Sequence, residues 1–485
     1  MPGTTRPAMT VIRRTLPPAL PPGTGAALPE MCAPARASIL GARGSGAVAR
    51  AAIRTAMHGF GARPAPPPAG RLGFARVLVI IPGHLGDVIT ATPALGRLRA
   101  ALPDAWIVAL AGPWGRDVLD RLDDVSAILE CRFPAFDRSP SGAWGGLPGR
   151  AARAATRVIR AEILRRRTAA PLRGRFDAAV VLAADFAWGA SIAALAGIPI
   201  RAGIATPDAT PSLTHPVDAG GPVPVGAWGL MIPRPHAAAI AIDVVDAALA
   251  ALGVTPPEGI HPSLRFVPSP DEVEEAARAW DAAGLPPGRE PAVVAIHPVP
   301  GAAVKRWAPA RWAAVIDAIH ARYPARVVLT GAPGDAAVTR EIVAACTVTP
   351  GPADLTGRLT FGGLGAAMDR VRLVIGPDGG ALHLAGARGI PTVRVFGPTD
   401  AAVWGAWTGG GPDAGAPPGV TAVRDIDGVP AVHVSSPRRC APCHQLGLPA
   451  LPSGATYPCM EAITVESVLR AIDTAWSGSV STAVP

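Results

Sequence analysis

Lysine is nearly absent from this sequence. The chain has 45 basic side chains against 36 acidic ones, and all but Lys305 are arginine. Aromatic residues make up only 5%, with two tyrosines, which leaves little material for base-stacking platforms and argues against nucleic acid as a partner. Six cysteines, scattered from Cys32 to Cys459, are too few for a disulfide framework, so the cytoplasm is the expected compartment. No run of 18 or more apolar residues occurs, so no membrane-spanning helix is expected. Gly-x-Gly-x-x-Gly is missing from the first strand–helix loops, which disfavours a dinucleotide-dependent oxidoreductase.

Glycine and proline are abundant, 55 and 56 residues, and much of that excess lies at the start. Residues 1–70 carry Glu30 as their one acidic residue and no sustained apolar period. Such a stretch buries too little to offset its ordering entropy and reads as a disordered basic extension. A true start near Arg71 or Arg76 is an alternative, and the stretch has no clean apolar core of the kind a signal peptide needs. The net charge of +9 favours acidic partners such as phosphorylated substrates or anionic lipid surfaces.

From Arg76 onward, short β-branched runs alternate with helical stretches. Strands are expected at Arg76–Ile81, Trp106–Ala111, Val125–Leu129 and Phe176–Leu182, with a helix from Val88 to Ala101 and another closing this half at His236–Leu252. After a Pro-rich linker at 255–270 the alternation restarts. Strands are expected at Ala292–Ile296, Arg326–Thr330, Leu373–Ile375 and Thr392–Phe396, with helices at Pro309–Arg322, Asp335–Ala345 and Ala381–Arg388. This pattern predicts an α/β protein: two Rossmann-like, doubly wound parallel-sheet domains, 71–254 and 255–485, the second carrying a Cys-containing tail. Ligands of such sheets bind beyond the carboxyl ends of the strands, where the Gly-rich loops of this chain fall.

Lys305 lies in one of those loops, His297-Pro298-Val-Pro-Gly301-Ala-Ala-Val-Lys305-Arg306-Trp307. A compact ammonium on a flexible stem suits a diphosphate in a tight pocket, where a planar guanidinium does not substitute. Arg306 reads as a solvated charge and Trp307 as a packing anchor. Asp87, at the mouth of the first strand–helix loop, fits a general base and equally an N-cap for the helix that follows. Gly83 and Gly86 permit close backbone approach to an anion. In Asp378-Gly379-Gly380…His383, two glycines open a helix whose bare N–H groups face an incoming phosphate. Asp378 binds a ligand or caps that helix, and Asp335 meets a ribose or caps its own. Thr399, in the loop after the last strand, is a weaker candidate.

Taken in order, Gly86-Asp87-Val88-Ile89, His297-Pro298…Lys305-Arg306-Trp307, Gly331-Ala-Pro-Gly334-Asp335, Gly376-Pro-Asp378-Gly-Gly-Ala-Leu-His383 and Phe396-Gly-Pro-Thr399 resemble glycosyltransferase family nine, the ADP-heptose:lipopolysaccharide heptosyltransferases. The resemblance covers about four-fifths of the chain. It implies a GT-B architecture with two lobes facing across a cleft, and inverting transfer with no obligatory metal. It also implies Asp87 as base, Lys305 as catalytic support at the diphosphate, and donor binding at Gly301, Lys305, Asp335, Asp378, Gly379, Gly380, His383 and Thr399. The implied partners are a nucleotide sugar, ADP-heptose by the resemblance, and an anionic glycolipid on the inner face of the cytoplasmic membrane. Another nucleotide sugar serving a different surface glycan, or a degenerate nucleotide-binding relative, is the alternative reading.

Two features stand apart. Arg150, Arg153, Arg157 and Arg160 recur at helical spacing, with Arg165, Arg166, Arg167, Arg173 and Arg175 beyond and Glu162 the one opposing charge. They form either a solvated face or, in the acceptor lobe the resemblance implies, a contact for phosphates or anionic lipid around Arg153 and Arg157. Cys440-Ala-Pro-Cys443 with Cys459 supplies three thiols, which His444 or His433 would complete as a zinc site. Zinc normally takes two well-spaced pairs, so structural thiols or an incomplete metal knuckle both remain open.

Overall fold

The structure, a computed structural model, describes residues 11–13, 75–133, 162, 164–182, 187–219, 223–225, 230–232, 235–256, 258, 262–287, 290–409, 419–446, 448, 450–452 and 455–478. The chain divides into two compact units: residues 1–233 with 238–262, and residues 234–237 with 263–485. The changeover at Pro262/Ser263 lies inside the Pro-rich stretch read as a linker, eight residues beyond the boundary expected at 254/255.

The first unit is built on strands β1 (Val11–Arg13), β2 (Arg76–Ile81), β3 (Trp106–Ala111), β4 (Ala127–Glu130), β5 (Ala178–Val181), β6 (Ile200–Ile204) and β7 (His215–Val217), in the order β1-β4-β3-β2-β5-β6-β7. All neighbours pair in parallel except β1, which runs antiparallel to β4. β1 departs from the expectation that residues 1–70 form no structure: Val11–Arg13 finds a sheet edge to pair with, and pairing replaces the missing apolar period. The rest of 1–70 lies outside the described residues, as do Arg150, Arg153, Arg157 and Arg160. Of the later arginines, Arg165 and Arg166 both pair with Glu162, the latter at 2.6 Å.

Strands β2, β3 and β5 are buried almost throughout, as β-branched runs in a sheet covered on both faces should be. Leu78, Ile80, Val108, Leu110, Phe133 and Ile192 share one core. The Leu85–Ala101 helix contains Pro93, whose missing N–H would orphan the Ile89 carbonyl. The Thr92 hydroxyl donates to that carbonyl at 2.7 Å, so the helix runs on through the proline. A short hairpin, β8 (Val223–Val225) with β9 (Leu230–Ile232), and the Ala237–Ala251 helix follow.

The second unit comprises β10 (Ala292–Ile296), β11 (Ala325–Leu329), β12 (Ala353–Asp354), β13 (Leu373–Pro377), β14 (Thr392–Phe396), β15 (Gly419–Arg424) and β16 (Pro430–Ser435). Their order is β12-β11-β10-β13-β14-β16-β15, parallel except for the β15–β16 pair. Both sheets thus show the doubly wound order in which the chain runs outward from a central strand, first one way and then the other. The core gathers Ile296, Trp312, Ile316, Val327, Ile375, Val395 and, from the C-terminal Val465–Gly478 helix, Val468 and Ile472. Trp307 is the anchor expected of it: 2% exposed, edge-on to Trp312, with its Nε1 donating to the Ile463 carbonyl at 3.1 Å.

One glycine fixes how closely β10 and β13 lie. A Cβ on Gly376 would stand 2.6 Å from the His297 carbonyl oxygen and 2.9 Å from Leu382 Cδ2. Backbone cannot swing aside as a side chain can, so Gly376→Ala is expected to destabilise the second unit by about 1–3 kcal/mol. Denaturant unfolding of the full chain checks this, and an unchanged midpoint would contradict it.

Candidate functional site

In the second sheet the winding reverses between β10 and β13, and the loops leaving those two strands are where such a fold holds ligands. Lys305 emerges from the β10 loop on a single 3-10 turn, Ala303–Lys305. Buried Val304 and Trp307 hold that turn down from both sides. Its Nζ donates to Asp378 Oδ2 at 3.0 Å, with the two side chains 12% and 6% exposed. Asp378 leaves β13 with its own N–H bound to the Val395 carbonyl.

Asp378 does not cap the helix that follows. The Gly380–Ala387 helix begins after Gly379 with no side-chain cap, so its first-turn N–H groups have no acceptor from a capping side chain. A Cβ on Gly379 would meet nothing nearer than the Pro377 carbonyl at 3.8 Å, so the fold itself does not require a glycine there. Burial pushes the Asp378 carboxyl up, but the charge of Lys305, foremost among its neighbours, outweighs it and holds the group below the usual carboxylate range.

His383 sits one turn into this helix, buried, with Nε2 3.8 Å from Asp378 Oδ1. Thr399 lies on the loop after β14 and faces the same carboxylate. Two deeply buried ring nitrogens near Asp378, His383 Nδ1 and His444 Nδ1, have no hydrogen-bond partner. Buried polar atoms are nearly always paired, so two orphans near one carboxylate mark a place prepared for something else.

Under this site lies a charge that the sequence reading missed. Arg394, on β14, is fully buried, its Nε donating to Thr392 Oγ1 at 3.0 Å and its Nη1 to the Gly405 carbonyl at 2.7 Å. Burial lowers its pKa to about 10, which leaves it charged at neutral pH. Histidines surround it. His236 reaches the Gly405 carbonyl through Nε2 at 3.3 Å, and His433 Nε2 accepts from Ala406 N–H at 3.1 Å. His297 Nδ1 lies 3.1 Å from the Thr330 hydroxyl at the end of β10. No motif pointed to Arg394, because an arginine inside an apolar strand reads as an edge residue until the sheet is assembled.

These histidines carry a pH signature. Burial, the leading cause in each case, lowers His383 and His433 to about 3 and His236 and His297 to about 4, with Arg394 pressing further on all but His297. Below the ordinary value near 6.5 the unfolded chain takes up protons that the folded chain refuses, so stability falls as pH drops from about 6.5 towards 4. Each histidine contributes a slope of about 1.4 kcal/mol per pH unit. Asp378 acts in the same sense over a lower window: with its pKa held below the usual carboxylate range, its stabilising contribution is lost only as pH falls through and below that range. Thermal unfolding across this window should show a steep loss, and a flat profile would refute the assignment.

The remaining donor-side candidates fall elsewhere in the loops. Asp335 is the N-cap residue of the Ala336–Ala345 helix by position, but its side chain makes no cap bond to that helix; its Oδ2 accepts from Ala332 N–H at 2.8 Å across the preceding Pro333–Asp335 turn. Burial raises its pKa, against the pull of that hydrogen bond and of Arg306. Gly301 is exposed midway along the β10 loop, and Arg306 is exposed as expected. His433 is consumed by the β14–β16 region. Among the described residues, no three or more His, Cys, Asp or Glu side chains are arranged to hold a metal ion. The zinc site considered for Cys440, Cys443 and Cys459 is therefore not assembled in this structure.

In the first unit, the loop leaving β2 also stands where the winding reverses, between β2 and β5. Asp87 Oδ2 accepts from His84 N–H at 2.7 Å, one half of a capping box at the start of the Leu85–Ala101 helix. A Cβ on Gly83 would come within 2.5 Å of the Asp87 side chain, so this glycine makes room for the carboxylate. Gly86 passes its carbonyl to the Thr90 hydroxyl at 2.6 Å. Trp114, unremarked in the sequence, fixes the loop: its Nε1 donates to the Gly83 carbonyl at 2.7 Å and its ring stacks on His84 at 5.3 Å. The signal was the Gly112-Pro-Trp-Gly115 turn, where a Cβ on Gly112 would strike the indole at 2.1 Å.

Known proteins resemble this chain in sequence and in fold. Residues 258–410 match the model of glycosyltransferase family 9 (heptosyltransferase). Two Escherichia coli proteins named lipopolysaccharide heptosyltransferase 3 are 41% and 37% identical over 117 residues, 24% of this chain. The chain spans about a third of the length of these curated relatives, 34% and 33%. Among solved structures, a family 9 glycosyl transferase from Veillonella parvula has a TM-score of 0.56 at 20% identity, over 84% of this chain and 98% of that one. An E. coli structure described as ADP-heptose lps heptosyltransferase II gives 0.54 at 18%, over 84% and 100%. At such identities these two establish the fold, a GT-B type with two Rossmann-like units. The segment that matches glycosyltransferase family 9 contains Lys305, Asp378, Gly379, Gly380, His383 and Thr399.

Proposed function

We propose that the chain is an inverting glycosyltransferase. It moves a heptose-like sugar from an ADP-activated donor to a lipopolysaccharide core or a related anionic surface glycolipid. The observation that carries this reading is the buried Lys305–Asp378 pair at the winding reversal, with two unpaired ring nitrogens near it and facing an uncapped helix start. The names of the E. coli relatives support the choice of sugar and acceptor.

In the proposed reaction an acceptor hydroxyl oxygen bonds to the anomeric carbon, and the bond from that carbon to the diphosphate oxygen breaks with inversion. The hydroxyl proton passes to the Asp87 carboxylate, and ADP leaves with the electron pair. Lys305 and the first-turn N–H groups of the Gly380–Ala387 helix offset the charge that grows on the departing diphosphate. Asp378 holds the ammonium in place, and the open space at Gly379 lets phosphate oxygens approach the backbone. His383 and Thr399 supply neutral hydrogen-bonding groups to the diphosphate or sugar. Gly301 and Asp335 would border the nucleoside side.

Arg153 and Arg157 are proposed to meet acceptor phosphates at the inner face of the cytoplasmic membrane. No helix among the described residues is long and apolar enough to cross a membrane. The reaction is expected to need no added metal.

Calorimetric titration with ADP, UDP and GDP, followed by a transfer assay with a panel of nucleotide sugars, tests the proposal. Preferred binding of ADP and acceptor-dependent ADP release in the presence of a chelator are expected. Preference for UDP or GDP would move the reading to another nucleotide sugar, and absence of any nucleotide binding would remove it.

A further inference from the structure

The C-terminal tail carries a histidine that the proposed reaction has not used. His444 directly follows the Cys440-Ala-Pro-Cys443 motif, and its backbone N–H donates to the Pro398 carbonyl at 2.7 Å. That bond ties the tail to the loop that presents Thr399. His444 is the one non-glycine residue with positive φ, 51°, among the described residues. Its side chain is 5% exposed and its Nδ1 is buried without a partner. Burial lowers its pKa, and the charges of Asp400, then of Asp378 and Lys305, act on the ring. A residue in the left-handed region, pinned through its N–H, with an unsatisfied ring nitrogen turned inward, is held for its side chain.

We propose that the tail forms one wall of the donor pocket and that the neutral His444 imidazole is a hydrogen-bonding contact for the sugar-diphosphate end of a nucleotide sugar. This rests on the donor-site reading given above. Its surroundings select that end of the donor: the Pro398 loop to which it is tied carries Thr399, and the charges of Asp378 and Lys305 act on it, whereas the candidate ribose contact, Asp335, belongs to another turn.

The test compares native protein with His444→Gly, which keeps the N–H and suits the left-handed backbone while removing the ring. His444→Asn, also tolerant of that backbone, restores a hydrogen-bonding group. Titration with ADP and AMP is the readout, with Lys305→Ala as reference. His444→Gly is expected to weaken ADP about tenfold, the scale of one hydrogen bond to a charged group, while AMP changes by less than about twofold. His444→Asn should recover most of the ADP loss. Equal losses for ADP and AMP would assign His444 to packing of the Pro398 loop and overturn the proposal. If native protein binds ADP, Lys305→Ala loses it and His444→Gly keeps it, this inference alone falls. If native protein binds no nucleoside diphosphate, the reading of the donor site falls with it.

Discussion

Lys305→Ala is expected to cut transfer by about a thousandfold and to weaken ADP binding sharply, the scale seen when a charge-stabilising group is removed from a dry site. The same substitution strands the Asp378 carboxylate, 6% exposed, without its counter-charge. A buried charge deprived of its partner typically costs about 3–5 kcal/mol. Burial then dominates, and the carboxyl should rise from below its ordinary range. Lys305→Arg should fare little better. The planar guanidinium does not occupy the position of a compact ammonium beside both Asp378 and a phosphate. The double variant Lys305→Ala/Asp378→Asn separates the two effects. It is expected to recover most of the thermal stability and none of the transfer. Single-turnover rates with ADP titrations check all three, and native-like rate and affinity in Lys305→Ala would remove the lysine from the reaction.

Asp87→Asn tests the other half of the chemistry. The amide oxygen still accepts the hydrogen bond from His84 N–H, so the helix start and the Gly83 approach are kept and the fold should be unchanged. The amide does not take up a proton at neutral pH. Transfer should therefore fall by about two to four orders of magnitude, the usual worth of a positioned base. ADP affinity should stay native, because the donor groups belong to the second unit. A variant that turns over at near-native rate would leave Asp87 as a cap alone, the role its geometry fills in any case.

Much of this site was legible as pattern. The loops carrying Asp87, Lys305 and Asp378 follow buried β-branched runs, and such runs identify central strands whatever their partners. Other elements were not. β16, Pro430–Ser435, is buried nearly throughout, but it becomes a strand by pairing with β14 on one side and β15 on the other. The Pro270–Ala282 helix, with its Ser269 capping box, begins where the sequence reading still saw linker. Asp335 and Asp378 looked alike in sequence, each an acid before a helix. Neither side chain caps the helix that follows it: Asp335 turns back to Ala332 N–H, whereas Asp378 is held by Lys305 from a loop 73 residues away.

The sequence by itself determined two doubly wound units and the loops at their strand ends, because apolar periodicity and glycine placement act over a few residues. It also singled out Lys305, since one ammonium among 44 guanidinium groups is visible without coordinates. Only the tertiary structure decided which charges meet. The Lys305–Asp378 pair, the buried Arg394 among neutral histidines and the fastening of His444 to the Pro398 loop all join residues from separate strands or the tail. Their energies depend on distance and burial, which no local pattern of residues encodes.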